Sequence, residues 1–174
     1  MRHADIGFIL ELGNQNIYFG DEYGSSAKPY LKKLGFLHTS VDINGQDGAE
    51  KMDLSKRISY NDILFDIVTD FGTSEHVKDY YNCWYNKHNW CKLNGIIISE
   101  NPKTGNWPGH GFHYLTELFY QKLAYMVGYE ILEIGEHAAM SNTTDGWNIY
   151  CVLKKRDKDF IPRKLFEKLD FRNE

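Results

Sequence analysis

The residues of this chain that could do chemistry gather in short segments that follow apolar runs. His110 and His113 lie in Asn106-Trp107-Pro108-Gly109-His110-Gly111-Phe112-His113-Tyr114, an aromatic loop punctuated by glycine. An imidazole within hydrogen-bond reach of a hydroxyl can serve as a general base. Trp107 and Tyr114 can wall a pocket for a ring-bearing or carbohydrate molecule. Either histidine can equally serve packing alone, His113 by donating to backbone at the entry to the next helix, and His76 is read first as a packing residue. Glu100, His110 and His113 lack a diagnostic ligand spacing, so no metal site is expected.

A second group follows the first two apolar runs. In Glu11-Leu12-Gly13-Asn14-Gln15-Asn16, Gly13 lets backbone approach a ligand closely, and the asparagines tolerate left-handed angles. Asp42 ends the second run, where a carboxylate can accept hydrogen bonds from both hydroxyls of a ribose. Asp53 follows a glycine-rich turn. It can orient an adenine amino group, with Met52 or Leu54 beside the ring, or cap a helix starting at Leu54.

Such residues need elements to hold them. Ile6 to Leu12, Leu37 to Ile43, Phe65 to Phe71 and Gly95 to Asn101 are apolar runs of strand length, and Tyr129 to His137 and Asn148 to Arg156 are two more. Between them, Ser25 to Leu34, His76 to Leu93 and a segment opened by Thr116 and closed by Gly128 carry helical spacing. Alternating strands and helices predict an α/β fold. Its sheet is mostly parallel, with helices on both faces and an antiparallel hairpin at the C-terminal edge. Ligands of such sheets sit beyond the carboxyl ends of the strands, where strand order reverses. The strand-end residues above are therefore the informative ones.

The chain has 174 residues and a formal net charge of -4, which suits one domain and gives no basic surplus for nucleic acid. The basic residues from Lys154 to Lys168 are interleaved with acids and read as a solvated segment. We divide the chain into an α/β domain over 1–156 and a C-terminal arm or short helix over 157–174. Cys83, Cys91 and Cys151 lack metal-type spacing and fit free thiols of a reducing compartment. With no signal-peptide pattern and no bilayer-length apolar run, a cytoplasmic protein without membrane partners is expected.

Five fragments in order carry a family resemblance. Glu11-Leu12-Gly13 is similar to an L-E-x-G first motif, and Phe65-Asp66-Ile67-Val68 with Glu75-His76-Val77 to a fourth-strand F-D-x-V followed by E-H-V. Trp90 to Glu100, His113 to Thr116 and Gly128 to Leu132 resemble the elements around the fifth and sixth strands. Together, over roughly residues 6 to 155, they resemble the class I S-adenosylmethionine-dependent methyltransferase superfamily, in its small-molecule and sugar-modifying branch. The resemblance implies a Rossmann-like sheet and S-adenosylmethionine as cofactor. The residues implied to hold it are Glu11, Gly13, Asn14, Gln15, Asp42, Ile43, Asp53, Leu54, Asp70 and Phe71. Catalysis would fall to His110 and His113, the acceptor being a small molecule or sugar hydroxyl. The alternative is a non-catalytic domain of this type that binds a nucleoside or a protein partner.

Two departures matter. Gln15 stands where the family's first motif carries its second glycine, and its side chain can crowd the methionine end of the cofactor or supply an amide contact. The family's helix ahead of the first strand is absent, which leaves the Tyr18, Phe19 and Tyr23 segment, or a second subunit of a homodimer, to cover the pocket. DNA-base methylation is disfavoured because Asp70-Phe71-Gly72-Thr73 lacks a proline pair. A dinucleotide fingerprint is excluded because Gly13 to Tyr18 holds one glycine of three.

Overall fold

A computed structural model describes residues 7–18, 20–59, 63–138 and 146–169. Ile6, Phe19, residues 139–145 and residues 170–174, on which parts of the sequence reading fall, lie outside the described residues. The elements run β1 (Phe8–Leu12), α1 (Ala27–Lys33), β2 (Leu37–Asp42), β3 (Glu50–Lys51), β4 (Phe65–Phe71), α2 (Tyr80–Trp90), β5 (Cys91–Pro102), α3 (Glu117–Val127), β6 (Glu130–Ala138), β7 (Trp147–Lys154) and α4 (Arg163–Phe166).

They build one seven-stranded sheet in the order β3-β2-β1-β4-β5-β7-β6. All neighbours pair in parallel except β7, which is antiparallel to β5 and to β6. Strand order reverses between β1 and β4. A right-handed crossover from β1 back to β2 and another from β4 on to β5 put α1 and α2 on opposite faces. The face toward α2 is the dry one. Leu10, Val68, Ile97 and Leu153 stand side by side across four strands, each with no exposed surface. They meet Trp84 of α2 and Phe119 and Tyr120 of α3. The opposite face is thinner. Its helix, α1, has no fully buried residue, and Ile67, Ile96, Ile98 and Val152 remain half-buried.

Local chemistry explains the boundaries. Ser26 caps α1, and the Thr116 hydroxyl accepts the Phe119 N–H at 3.1 Å to start α3, which Gly128 ends in the left-handed conformation. The C-terminus of α2 is held by a buried cation, as Lys155 Nζ donates to the carbonyls of His88 and Cys91 at 2.7 and 3.0 Å. Helix α2 is shorter than its periodicity predicts. It stops at Trp90, and residues 91–94 belong to β5, because Cys91 pairs with Phe65 of β4. The segment then turns at Asn94, φ 66°, and Gly95 closes the bulge. A Cβ on Gly95 would lie 2.9 Å from the Asp66 carbonyl oxygen. Residues 157–169 pack into the same core through Ile161, Phe166 and Leu169. No helix of the described residues is long and apolar enough to cross a membrane.

Candidate functional site

A cleft of about 540 Å³ opens at the carboxyl ends of β1, β2 and β4, beside the point where strand order reverses. It is walled by Gly13, Asn14, Gln15, Asp42, Ile43, Asp53 and Leu54, all expected from the sequence, and by Met52, Ser55, Gly72, Thr73, His76, Val77, Lys78 and Phe112. A larger cleft of about 710 Å³ lies at the opposite ends of the strands, against Phe8, Leu37 and Phe65. Ligands of parallel sheets bind at the carboxyl ends, so the smaller cleft is the candidate.

Two carboxylates are fixed at its edge. The Asp42 oxygens accept the N–H groups of Asn14 and Asn44 at 3.1 and 2.9 Å, which stiffens the carboxylate while leaving each oxygen a second lone pair. Asp53 accepts both the N–H and the hydroxyl of Ser55, at 3.0 and 2.6 Å. These bonds, the hydroxyl first, hold its pKa below the ordinary value, so it remains a carboxylate. Asn14 ties the first turn to the loop after β2 through its amide, which donates to the Gln46 carbonyl and the Asp47 carboxylate.

Gln15 folds back over Gly13. Its Nε2 donates to the Leu12 carbonyl at 3.2 Å and to Thr73 Oγ1 at 2.7 Å, and the Thr73 hydroxyl donates to the same carbonyl at 2.9 Å. Gly13 has φ 78°, and a Cβ there would lie 2.3 Å from Thr73 Oγ1 and 2.4 Å from Gln15 Nε2. The missing side chain of Gly13 is thus the space that Gln15 and Thr73 fill. Both amide hydrogens of Gln15 serve the fold, so what it offers a ligand is its carbonyl oxygen.

Three residues implied by the resemblance stand elsewhere. Glu11 turns to the other face of the sheet and meets His38 Nε2 at 3.2 Å, both side chains nearly inaccessible. Phe71 is exposed at the end of β4 and does not line the cleft. Asp70 is fully buried beneath the cleft, paired with Lys87 Nζ at 2.7 Å and bonded to the hydroxyls of Ser74 and Ser99 at 2.6 and 3.1 Å. Burial raises its pKa, but the Lys87 charge and these bonds outweigh that and lower it. The expected lid differs too. Tyr18 and Tyr23 pack edge to face against each other, largely exposed, and neither lines the cleft.

The histidine loop is a braced structure. The Tyr114 hydroxyl accepts the N–H groups of His110 and Gly111 and donates to the Trp107 carbonyl, while Trp107 Nε1 donates to the Trp147 carbonyl. Tyr114 and Trp107, expected as pocket walls, therefore act as bolts of the loop. His113 donates through Nε2 to the Val77 carbonyl at 2.9 Å and stacks on Tyr80 with centroids 4.3 Å apart. That is a positioning role, and it leaves His113 outside the cleft lining. Glu100 meets His137 and Asn148 on the far side of β5. His110 is exposed and lies beside His76, grouped with it in the sequence as a candidate base on this side of the sheet, and beside Glu75, which was not grouped with them.

Glu75 is the unusual member. Its side chain is buried, with Asn101 Nδ2 on Oε2 at 3.1 Å and both His76 and His110 Nε2 at 3.7 Å from Oε1. Burial, and then the nearby Asp70 charge, push its pKa up to about 8. The Glu75 carbonyl accepts the N–H of Phe112 at 2.8 Å and of His113 at 3.3 Å, which clamps the histidine loop to the turn after β4.

The sheet order, the lone antiparallel strand and the cleft at the reversal point define the fold of class I S-adenosylmethionine-dependent methyltransferases. Solved structures with this fold include the 1,6-didemethyltoxoflavin-N1-methyltransferase of Burkholderia thailandensis, determined with S-adenosylhomocysteine and 1,6-didemethyltoxoflavin. It superposes with a TM-score of 0.63 and 14% identity over 87% of this chain and 72% of that one. The N-methyltransferase NodS of Bradyrhizobium japonicum, in complex with S-adenosylhomocysteine, gives 0.59 and 12% over 87% and 79%. The [4+2]-cyclase SpnF gives 0.61 and 12% over 87% and 75%. No protein-family model matches the sequence, and no curated protein matches it significantly.

Proposed function

We propose that the protein is an S-adenosylmethionine-dependent methyltransferase acting on a small molecule or a sugar hydroxyl. The observation that carries this reading is the cleft at the strand-order reversal, with a braced carboxylate, Asp42, at the end of β2. Its volume falls in the range of small-molecule sites. The residues fit the cofactor along its length. Asp42 presents acceptors suited to two ribose hydroxyls, and Asp53, oriented by Ser55, suits an adenine amino group beside Leu54, Ile43 and Met52. The Gln15 carbonyl oxygen suits an ammonium at the other end. Solved structures of this fold that contain S-adenosylhomocysteine support the same choice.

When bound, the cofactor supplies an electrophilic methyl carbon on a sulfonium. The task left to the protein is alignment and the exclusion of water. Phe112 and Val77 give the cleft an apolar side next to His76. The proton of a hydroxyl acceptor passes to the cluster of Glu75, His76 and His110, whose two imidazoles are exposed beside the cleft, while His113 holds the loop.

Calorimetry with S-adenosylmethionine and S-adenosylhomocysteine tests the reading. Binding that Asp42→Ala abolishes is the expected result, and no binding at millimolar ligand overturns it. A second reading rests on Gln15, whose side chain closes the first turn. In that reading the domain binds a nucleoside or a partner chain without transferring a methyl group. The SpnF cyclase shows that the fold also houses other chemistry. Adenosine binding without S-adenosylmethionine binding would favour this second reading.

A further inference from the structure

Glu75, His76 and His110 bring one carboxylate oxygen and two imidazole nitrogens within 4.8 Å of one another at the rim of the cleft. Oε1 of Glu75 lies 3.7 Å from Nε2 of each histidine. The two rings are inclined by 57° with centroids 4.8 Å apart. We propose that these three side chains bind a divalent first-row transition-metal ion, of the Zn²⁺ or Mn²⁺ kind, in an open three-ligand site.

The donor set favours that class of ion. Two imidazoles and a carboxylate suit Zn²⁺, Fe²⁺ and Mn²⁺, whereas Ca²⁺ and Mg²⁺ take oxygen ligands. Bonds of about 2.0–2.2 Å separate neighbouring donors in such a shell by roughly 3–3.6 Å. The atoms must therefore draw together by at most about 1 to 2 Å, by rotation of two histidine side chains that are 48% and 41% exposed. The carboxylate that anchors the site needs no movement, because Asn101 already holds its other oxygen at 3.1 Å. This outer-shell bond points Oε1 toward the histidines, as such partners do in metal sites.

The two segments that supply the ligands are 34 residues apart and are joined at this point by design of the backbone. The Glu75 carbonyl takes two N–H groups from the histidine loop. A Cβ on Gly111 would lie 3.0 Å from that carbonyl oxygen, tighter than most such contacts, so glycine lets the two segments meet without displacement. Tyr114 fixes the backbone of His110 itself. Among the described residues the ion-pair partners of the Glu75 carboxylate are His76 and His110 alone. A buried carboxylate served by two exposed imidazoles suits an added cation better than a core.

Three protein ligands leave a position for an exogenous oxygen. His76 also lines the cleft, so that position adjoins the space assigned to the acceptor. The metal site stands without the methyl-transfer reading. Its use in holding an acceptor hydroxyl, and in making that hydroxyl more acidic, rests on that reading. In the metal-loaded protein the three side chains are ligands, and the proton of a hydroxyl made more acidic by the cation leaves to solvent water at the open side of the site.

The test uses the tag-free full chain, stripped with a chelator and titrated by calorimetry with zinc or manganese chloride. Cobalt chloride gives a visible-spectrum readout of the same site. One equivalent bound, with affinity lowered at least about 100-fold in the His76→Ala/His110→Ala double variant, is the expected result. Both histidines are exposed, so circular dichroism of that variant should match the parent. His137→Ala, at the separate Glu100 pair, should bind as the parent does. Absence of stoichiometric binding, or binding that the double variant retains, overturns the proposal. Metal binding without S-adenosylmethionine binding would sink the methyl-transfer reading and leave the metal site standing. Cofactor binding without metal would do the reverse.

Discussion

Asp70 and Lys87 form an ion pair 2.7 Å long with neither side chain exposing any surface. Asp70 is the penultimate residue of β4, below the cleft, and Lys87 reaches it from α2, its ammonium also resting 3.4 Å from the Trp84 ring centroid. Removing one member of such a pair leaves an uncompensated buried charge. Lys87→Met should therefore destabilise the fold by about 3–5 kcal/mol in urea titration. Adding Asp70→Asn to it should recover part of that loss. A single variant within 1 kcal/mol of the parent would show that the pair contributes little.

Gln15 and Thr73 make a second prediction. Gln15→Ala removes the amide that closes the Gly13 turn, and S-adenosylmethionine affinity should fall about tenfold, the equivalent of one hydrogen bond to a charged group. Calorimetry gives the sign directly. Tighter binding in the variant would mean that Gln15 obstructs the cleft, which is the second functional reading.

The pH dependence of stability should show a window set by His88. Its Nε2 meets the Lys158 carbonyl at 3.0 Å, an acceptor only, so that nitrogen carries the proton and Nδ1 accepts from the Tyr129 hydroxyl. Burial, with Lys155 nearby, lowers its pKa to about 4. The unfolded chain therefore binds more protons between about pH 4 and 6.5, and stability falls as pH drops through that range. The loss is on the order of 3 kcal/mol. Glu75, its pKa raised to about 8, contributes the opposite slope above its ordinary carboxylate value, so the His88 contribution is read as the difference in denaturant midpoints between the parent and His88→Gln across the window. The Asp70 contribution, whose folded pKa is depressed, is lost only below the ordinary carboxylate range.

Gly111→Ala tests the clamp between the histidine loop and Glu75. The added carbon meets the Glu75 carbonyl oxygen at 3.0 Å, so one of the two segments must give by a few tenths of an ångström. The sheet is untouched, so the melting temperature should change little. Turnover should fall by about tenfold, less than the roughly 100-fold that a 1 Å misplacement costs. Retained turnover would show that the loop position does not matter to the reaction.

Much of this architecture is legible in the sequence because its central strands are apolar runs and α1 and α3 carry explicit caps. Phe65 to Phe71 reads as a strand and is one, and Thr116 and Gly128 bound α3 as expected. The two-residue β3, both residues exposed, has no pattern to detect. Residues 91–93 carry helical spacing and read as the end of a helix, but pairing of Cys91 with Phe65 of β4 makes them strand. Strand ends also reveal the cleft, since Gly13, Asp42 and Asp53 stand at turns where only a few residue types serve. What the sequence hides is the third dimension. Lys87 looks like a surface lysine of a helix, and nothing in the spacing from Glu75 and His76 to His110 announces that they meet.

The place of β1 in the sheet has a consequence for synthesis. It lies between β2 and β4, and its pairing with Ile67 to Asp70 joins residues 58 apart in the chain. As the chain leaves the ribosome, β1 and β2 can form a pair, but one edge of β1 stays open until residue 71 has emerged. Non-local parallel pairing is slow, and an unpaired apolar edge invites the wrong partner. The segment Ile9 to Leu12, buried in the finished sheet, is thus exposed to wrong pairing while the nascent chain waits for β4.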